Sequence, residues 1–343
     1  DTSSGGAGGD GALWLMVLAV GLVWRRRGLL PRSLSKATLA WVLVLAAAMG
    51  STAAEAQTTE PRGYSVERFS LTIDRAGLIG VEWAGVPPHL AWDVWLWLGY
   101  ANDPLVLYRQ SDDTRGGSLV ADRLGGALGG AISLFEWLEL GLELPFVLAQ
   151  GRDDTLAAVV GTLTELDTAG LGDLRVVPKL RLLRQADQGI DLAIMAKLTL
   201  PTATSEAYLG NDGLGFTPAL LVSRSFGAVR LAANLGYRLR ADVRFLDVSV
   251  DDELFLRVGA GLRLRELDPD SIPLELDVTY GLSTVASQAF EASNLTASEL
   301  DVGVAWDFDV PLTAYVVGGA GLTRGYGTPD WRNRIRSWWG RGA

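Results

Sequence analysis

The chain has 343 residues, 48% hydrophobic and 20% charged, with 41 Gly, 12 Trp, one His and no Cys. The lack of Cys removes disulfide frameworks and thiolate chemistry, a single His89 leaves little for histidine-based catalysis, and a formal charge of −10 argues against a nucleic-acid partner. Mean hydropathy, +0.21, is high for a soluble protein, yet beyond the first fifty residues no apolar run reaches the roughly 18 residues of a spanning helix.

Two short apolar segments come first. Residues 11–24 (GALWLMVLAVGLVW) follow a Gly-rich lead and end at Arg25-Arg26-Arg27. Residues 38–49 follow Arg32 and Lys36 and precede Ala54-Glu55-Ala56. A basic lead, an apolar stretch and a small-residue A-x-A site define a secretory signal peptide, with cleavage after Ala56 leaving Gln57 first. The expected organisation is therefore an upstream or sorting-tail-like segment over 1–29 and a helical signal segment over 30–56. A periplasmic N-terminal segment or partial plug follows over 57–90.

From residue 91 onward the hydrophobic period is two, the mark of strands with two unlike faces. Over 138–148 Leu138, Leu140, Leu142, Leu144, Phe146 and Leu148 share one face, and Glu139, Gly141 and Glu143 the other. The pattern recurs at 174–183, 190–201, 229–240, 254–265, 274–283, 300–309 and 312–323, and less cleanly at 91–108, 118–135 and 214–225. That makes eleven strands, with a poor twelfth near Trp331. Short connections (136–137, 186–189, 226–227, 268–273, 309–311) alternate with long ones (109–117, 151–172, 202–213, 241–252, 284–299). Strands of this length, with turns on one side and loops on the other, predict an all-β fold. Specifically, they predict a transmembrane antiparallel up-and-down β-barrel of about 12 strands over 91–336, then an atypical tail over 337–343.

Leu and Val dominate one face, as lipid contact demands, while Gly, Ser, Thr and charge occupy the other. Trp92, Trp137, Trp306, Tyr100 and Tyr237 fall near strand ends, where aromatic girdles form. The lumen is then expected to hold a charge network of Glu139, Glu143, Arg175, Lys179, Arg181, Arg230, Arg238, Arg257, Arg263, Glu275 and Asp277. Neighbouring strands carry opposite signs, so cross-strand ion pairs are expected, each stabilising the sheet by roughly 0.2–1 kcal/mol. Two readings follow. One is a salt-bridged, largely plugged interior; the other is a narrow solute pathway in which the arginines of strands seven and eight form a basic stripe favouring anions.

No strand or long loop contains His, and no enzyme, metal site or cofactor is expected. The acidic stretches Ser111-Asp112-Asp113 and Asp251-Asp252 lack the ligand spacing of a calcium loop. Gly125, Gly126, Gly129 and Gly130 sit within an alternating strand, where Gly permits bending or close backbone approach.

The wording of several segments adds a resemblance. WDVWLWLGYANDPLVLY (92–108), LFEWLELGLELP (134–145), GLGDLRVVPKLRLL (170–183), LAANLGYRLR (231–240), DELFLRVGAG (252–261) and GYGTPDWR (325–332) resemble the N-terminal barrels of myxobacterial OmpA-family proteins. The resemblance covers about residues 64–332. It implies an outer-membrane barrel, usually followed by a periplasmic peptidoglycan-binding domain. After Trp331-Arg332 this chain departs from that pattern with the basic stretch NRIRSWWGRGA, so peptidoglycan binding is not carried over and barrel closure is in question. The reading is a non-enzymatic structural protein of the bacterial outer membrane, a truncated OmpA-like protein, with a narrow charged channel or transporter for small solutes as the alternative. Its expected partners are outer-membrane lipid and the barrel-assembly machinery, with small solutes under the alternative.

Overall fold

The computed structural model describes residues 65–341 apart from Phe69, 109–113, 154–165, 205–207, 212, 240–242, 246–247, 291–294 and 309. The expected upstream and signal segments, the cleavage residues Ala54, Ala56 and Gln57, and the acidic loop at 111–113 lie outside the described residues.

Twelve antiparallel strands form the wall. They are β1 (Trp92–Tyr108), β2 (Arg115–Phe135), β3 (Leu138–Gly151), β4 (Leu174–Leu183), β5 (Asp191–Leu200), β6 (Gly215–Phe226), β7 (Val229–Arg238), β8 (Glu253–Arg263), β9 (Leu274–Val285), β10 (Thr296–Asp307), β11 (Leu312–Gly321) and β12 (Trp331–Arg341). Each pairs with its sequence neighbours, and β12 pairs with β1 from Trp92↔Arg341 to Asn102↔Trp331, so the sheet closes on itself. Closure removes every free edge, which is what a barrel in lipid requires. The longest connections, 152–173, 201–214 and 239–252, gather at one end, the loop side; the opposite end, with the two-residue connections 136–137 and 227–228, is the turn side.

The seam corrects the expectation of doubtful closure and of a tail beginning at 337. The closing strand runs to Arg341 and alternates cleanly: Arg332, Arg334, Arg336 and Trp338 are buried, while Trp331, Ile335 and Trp339 are 46%, 64% and 54% exposed. Three arginines at intervals of two residues are the inner face of a strand, not an obstacle to lipid. Elsewhere the wall follows its alternation. Leu96, Leu142, Leu220, Leu235, Leu276, Val304 and Val316 lie on the outer surface, each between 39% and 58% exposed. An apolar surface this continuous exceeds anything a soluble monomer shows to water and suits hydrocarbon.

Aromatic residues ring the turn side of the outer surface: Trp92, Phe135, Phe226, Trp306, Phe308 and Trp339 are all exposed. Phe135 stacks on Trp137 with ring centres 5.2 Å apart, and Trp306 on Phe308 at 5.9 Å. Tyr100 packs against Trp331 at 5.3 Å towards the loop side. Tyr237 instead donates to Asp252 at 3.0 Å. Trp95, Trp97 and Trp338 turn inward.

What they meet there is the chain's own segment 65–91. Ser65 and Val66 lie at the loop side, where the Val66 amide donates to the Tyr208 carbonyl at 3.2 Å. The chain descends through the lumen to Ala76 and reverses at a tight turn in which Leu78 and Val81 exchange backbone hydrogen bonds of 2.9 and 2.7 Å. Ile79 in this turn has a φ of 45°, a strained conformation for a β-branched residue. The chain rises to Glu82 and then descends to Val86. Pro87 and Pro88 bring it over the turn-side rim, where Leu90 donates to Ser133, and β1 begins.

Candidate functional site: the lumen and the segment that occupies it

Burial of aliphatic side chains puts the segment in contact with the wall. Leu71, Ile73 and Ile79, each 0–2% exposed, form one cluster with Trp95, Trp97, Val177, Tyr315 and Trp338. Leu78, Val81 and Trp83 form a second with Ala232. The wall receives these side chains where it carries glycine. A Cβ added to Gly141 would lie 2.0 Å from Ile73 Cγ1, and one on Gly261 would lie 2.8 Å from Leu78 Cδ2. Glycine at these positions lets the segment approach the strands closely.

Polar contacts then secure the segment residue by residue. Its backbone, which forms no strand, has carbonyls and amides that burial obliges to find partners. Arg257 donates to the carbonyls of Arg68 (2.9 Å), Ser70 (3.3 Å) and Gly80 (2.9 Å). Arg336 donates to the Thr72 carbonyl at 2.6 Å and to its hydroxyl at 3.3 Å. Arg230 donates to Ala76, and Arg181 to Val86 at 3.2 Å. Trp95 Nε1 donates to Ile73 at 2.8 Å. In return the Ile79 amide donates to the Tyr315 hydroxyl, and Ala84 to Ser223 Oγ. Asn234 bonds both the amide and the carbonyl of Glu82, at 2.7 and 2.9 Å. The Glu82 carboxylate turns back to accept the Ile73 amide.

The expected charge network faces the lumen throughout, and much of it pairs across strands. Glu143 of β3 meets Arg175 of β4 at 2.9 Å and Lys197 of β5 at 3.3 Å. Arg230 of β7 and Arg263 of β8 both pair with Glu275 of β9, at 2.5 and 3.3 Å. Lys179 bridges Glu139 of the wall and Asp74 of the segment, all three essentially without exposure. The other four residues of the expected set have partners outside it. Arg257 and Arg181 bind segment carbonyls, and Asp277 accepts the Tyr315 hydroxyl. Arg238 pairs with Glu253 at 2.7 Å, a carboxylate outside the expected set.

Other participants were missing from the sequence reading. Glu253 also receives Arg68 of the segment at 2.6 Å, and Arg68 lies 3.6 Å above the Tyr326 ring. Arg332 spans Glu67 and Glu299 at 2.9 and 2.8 Å, and Arg334 spans Glu299 and Asp301 at 3.0 Å each. The i, i+2, i+4 spacing of Arg332, Arg334 and Arg336 was the available signal. For Asp74 and Glu82 none existed, because the segment has no period that assigns its side chains to a face. His89 sits at the turn-side rim, stacked on Phe135 at 6.1 Å. Among the described residues no cluster of three or more His, Asp or Glu suits a metal ion.

The two ends of the lumen differ in free space. On the turn side a cavity of about 880 Å³ opens among Arg75, Asp93, Arg181, Glu266, Asp307 and Trp338. On the loop side the segment leaves separate cavities of about 60, 20 and 80 Å³.

The sequence matches no protein-family model and no curated protein. Among solved structures the chain is similar to the COG4313 outer membrane channel from Pseudomonas putida F1, with a TM-score of 0.52 and 15% identity over 75% of this chain and 98% of that one. It is also similar to the NanC porin, with a TM-score of 0.47 and 10% identity over 72% of this chain and 99% of that one. The CymD monoaromatic hydrocarbon channel follows with a TM-score of 0.40 and 12% identity over 74% and 89%. At such identities the first of these likenesses describes the fold alone, a closed twelve-stranded β-barrel like that of an outer membrane channel.

Proposed function

We propose that the protein is a channel of the bacterial outer membrane, non-enzymatic, that passes small solutes when segment 65–91 shifts within the lumen. The observation that carries this reading is a vestibule of about 880 Å³ ending at a segment that is no part of the wall sheet. Between its backbone bonds at the two rims, that segment is held to the wall by side-chain contacts, in contrast to a continuous strand ladder. The likeness in fold to an outer membrane channel supports it. The exposed apolar wall and its turn-side aromatic ring suit insertion in lipid with the short turns in the periplasm, as outer-membrane barrels are oriented.

A structural envelope protein is the second reading, favoured by the small cavities on the loop side. Planar-bilayer recording of the refolded full chain separates the two. The channel reading expects small, rare conductance steps from the unaltered chain. It expects more frequent steps from Ile73→Ala, which empties the Gly141 contact, and from Asp74→Asn, which loosens the segment from Lys179 and leaves the Lys179–Glu139 pair in the wall. Absence of steps in all three proteins, each inserted and heat-modifiable on a gel, establishes the structural reading instead.

A further inference from the structure

Charges that lose their partners when the segment shifts decide what an open lumen would attract. The wall carboxylates in the middle of the barrel keep theirs. Glu139 retains Lys179, Glu143 retains Arg175 and Lys197, and Asp301 retains Arg334. Glu253 retains Arg238 after losing Arg68. Two lumen guanidinium groups differ. Arg257 and Arg336 have no carboxylate within ion-pair distance among the described residues, and the segment's carbonyl oxygens are the acceptors of their hydrogen bonds.

Arg336 is the more enclosed of the two. Arg336 is 1% exposed and lies between Trp95 and Trp338, 4.3 and 3.9 Å from their ring centres. Its Nε, also buried, has no acceptor. The carbonyls that the two arginines hold include Ser70 and Thr72, two residues apart on one stretch, so one short length of the segment occupies both guanidinium groups. A guanidinium bonded to neutral carbonyls and to no carboxylate directly is a strong site for a carboxylate or phosphate, which it can bind through two parallel hydrogen bonds. A neutral peptide carbonyl is the weaker ligand of the two.

We propose that Arg257 and Arg336 form a binding site for small organic anions, now filled by the carbonyls of residues 68–72, and that an anion passes by competing with the segment for these two side chains. The inference rests on the channel reading above and names its solute class. At the turn-side mouth the balance is different: a shifted segment would free Asp93 and Asp307 from Arg75 as well as Arg181 from Val86. Selection by charge therefore belongs to the middle of the lumen.

The test uses the full refolded chain in planar bilayers, with Asp74→Asn as a second background in which steps are more frequent. Under a potassium chloride gradient the reversal potential should lie on the chloride side. Glucuronate, close to glucose in size and carrying one carboxylate, should raise opening frequency where the same concentration of glucose does not. Arg257→Gln with Arg336→Gln should move the reversal potential towards zero selectivity and abolish the glucuronate effect. Steps that prefer potassium, or that respond to glucose and glucuronate alike, overturn the anion site and leave the channel reading standing. No steps in either background overturn both. The comparison of glucuronate with glucose on the unaltered arginines decides the matter even where the double variant fails to insert.

Discussion

The loop-side and turn-side halves of the lumen are built from the same twelve strands, yet among the described residues the first holds small cavities and the second one of about 880 Å³. In the loop-side half Arg68, Glu253, Arg238 and Tyr326 form a compact group, and Glu67 joins Arg332. In the turn-side half Arg75 reaches Asp307 across a cavity of about 880 Å³, with both side chains at least a third exposed. Between them lies the buried set of Asp74, Lys179 and Glu139. The difference shows where the segment is anchored. Removing one partner of an ion pair shielded from water leaves a buried charge unpaired and is costly, whereas a half-exposed pair is screened and adds little.

That contrast can be tested by removing one contact from each level and measuring unfolding in denaturant with the barrel in detergent. The largest effect belongs to the middle. Lys179→Met leaves Asp74 and Glu139 facing each other without a cation, at a cost of about 3–5 kcal/mol, so the unfolding midpoint should fall sharply; an unchanged midpoint would show that the segment contributes nothing to barrel stability. Next comes the loop-side anchor. Glu253→Gln keeps the shape but weakens the bonds from Arg68, Arg238 and Tyr326, and a loss of about 1–3 kcal/mol is expected. Protease cleavage near Ser65 should accelerate in the same variant.

The smallest effect belongs to the turn side. Arg75→Ala should cost less than about 1 kcal/mol, and the difference from the unaltered chain should vanish in concentrated salt. If Arg75→Ala proved as damaging as Glu253→Gln, the two halves would be equally anchored and the vestibule would not mark the looser end.

The wall was legible in the sequence because a two-residue period states which face every side chain takes, and loop lengths state which end each connection occupies. Lumen pairs between adjacent strands, such as Glu143 with Arg175, were legible for the same reason. The closing strand was misread because its arginines were weighed as a composition, basic and unsuited to lipid, when their positions 332, 334 and 336 placed them together inside. The roles of Arg257 and Arg181 were not legible at all. Both side chains bind backbone carbonyls of segment 65–91, and a carbonyl leaves no trace in residue type. The path of that segment follows from the cavity the barrel leaves, which is a property of twelve closed strands and not of the segment's own pattern.

The segment runs from Ser65 at the loop side to the turn-side rim and is continuous there with β1, whose seam with β12 joins residues 92–102 to 331–341. Topologically this is a thread through a ring, an arrangement that folded chains otherwise avoid. The ring is held by hydrogen bonds alone, so it can form around a thread already lying on the open sheet. Pairing between the two ends of the barrel spans the greatest sequence separation in the fold and is the slowest contact to make. Assembly can therefore follow an order in which the segment settles on the curled but open wall and the seam closes over it. In that order a globular domain fused ahead of residue 65 would not have to pass through the pore; it would be left on the loop side, tied to a ring that had shut behind it.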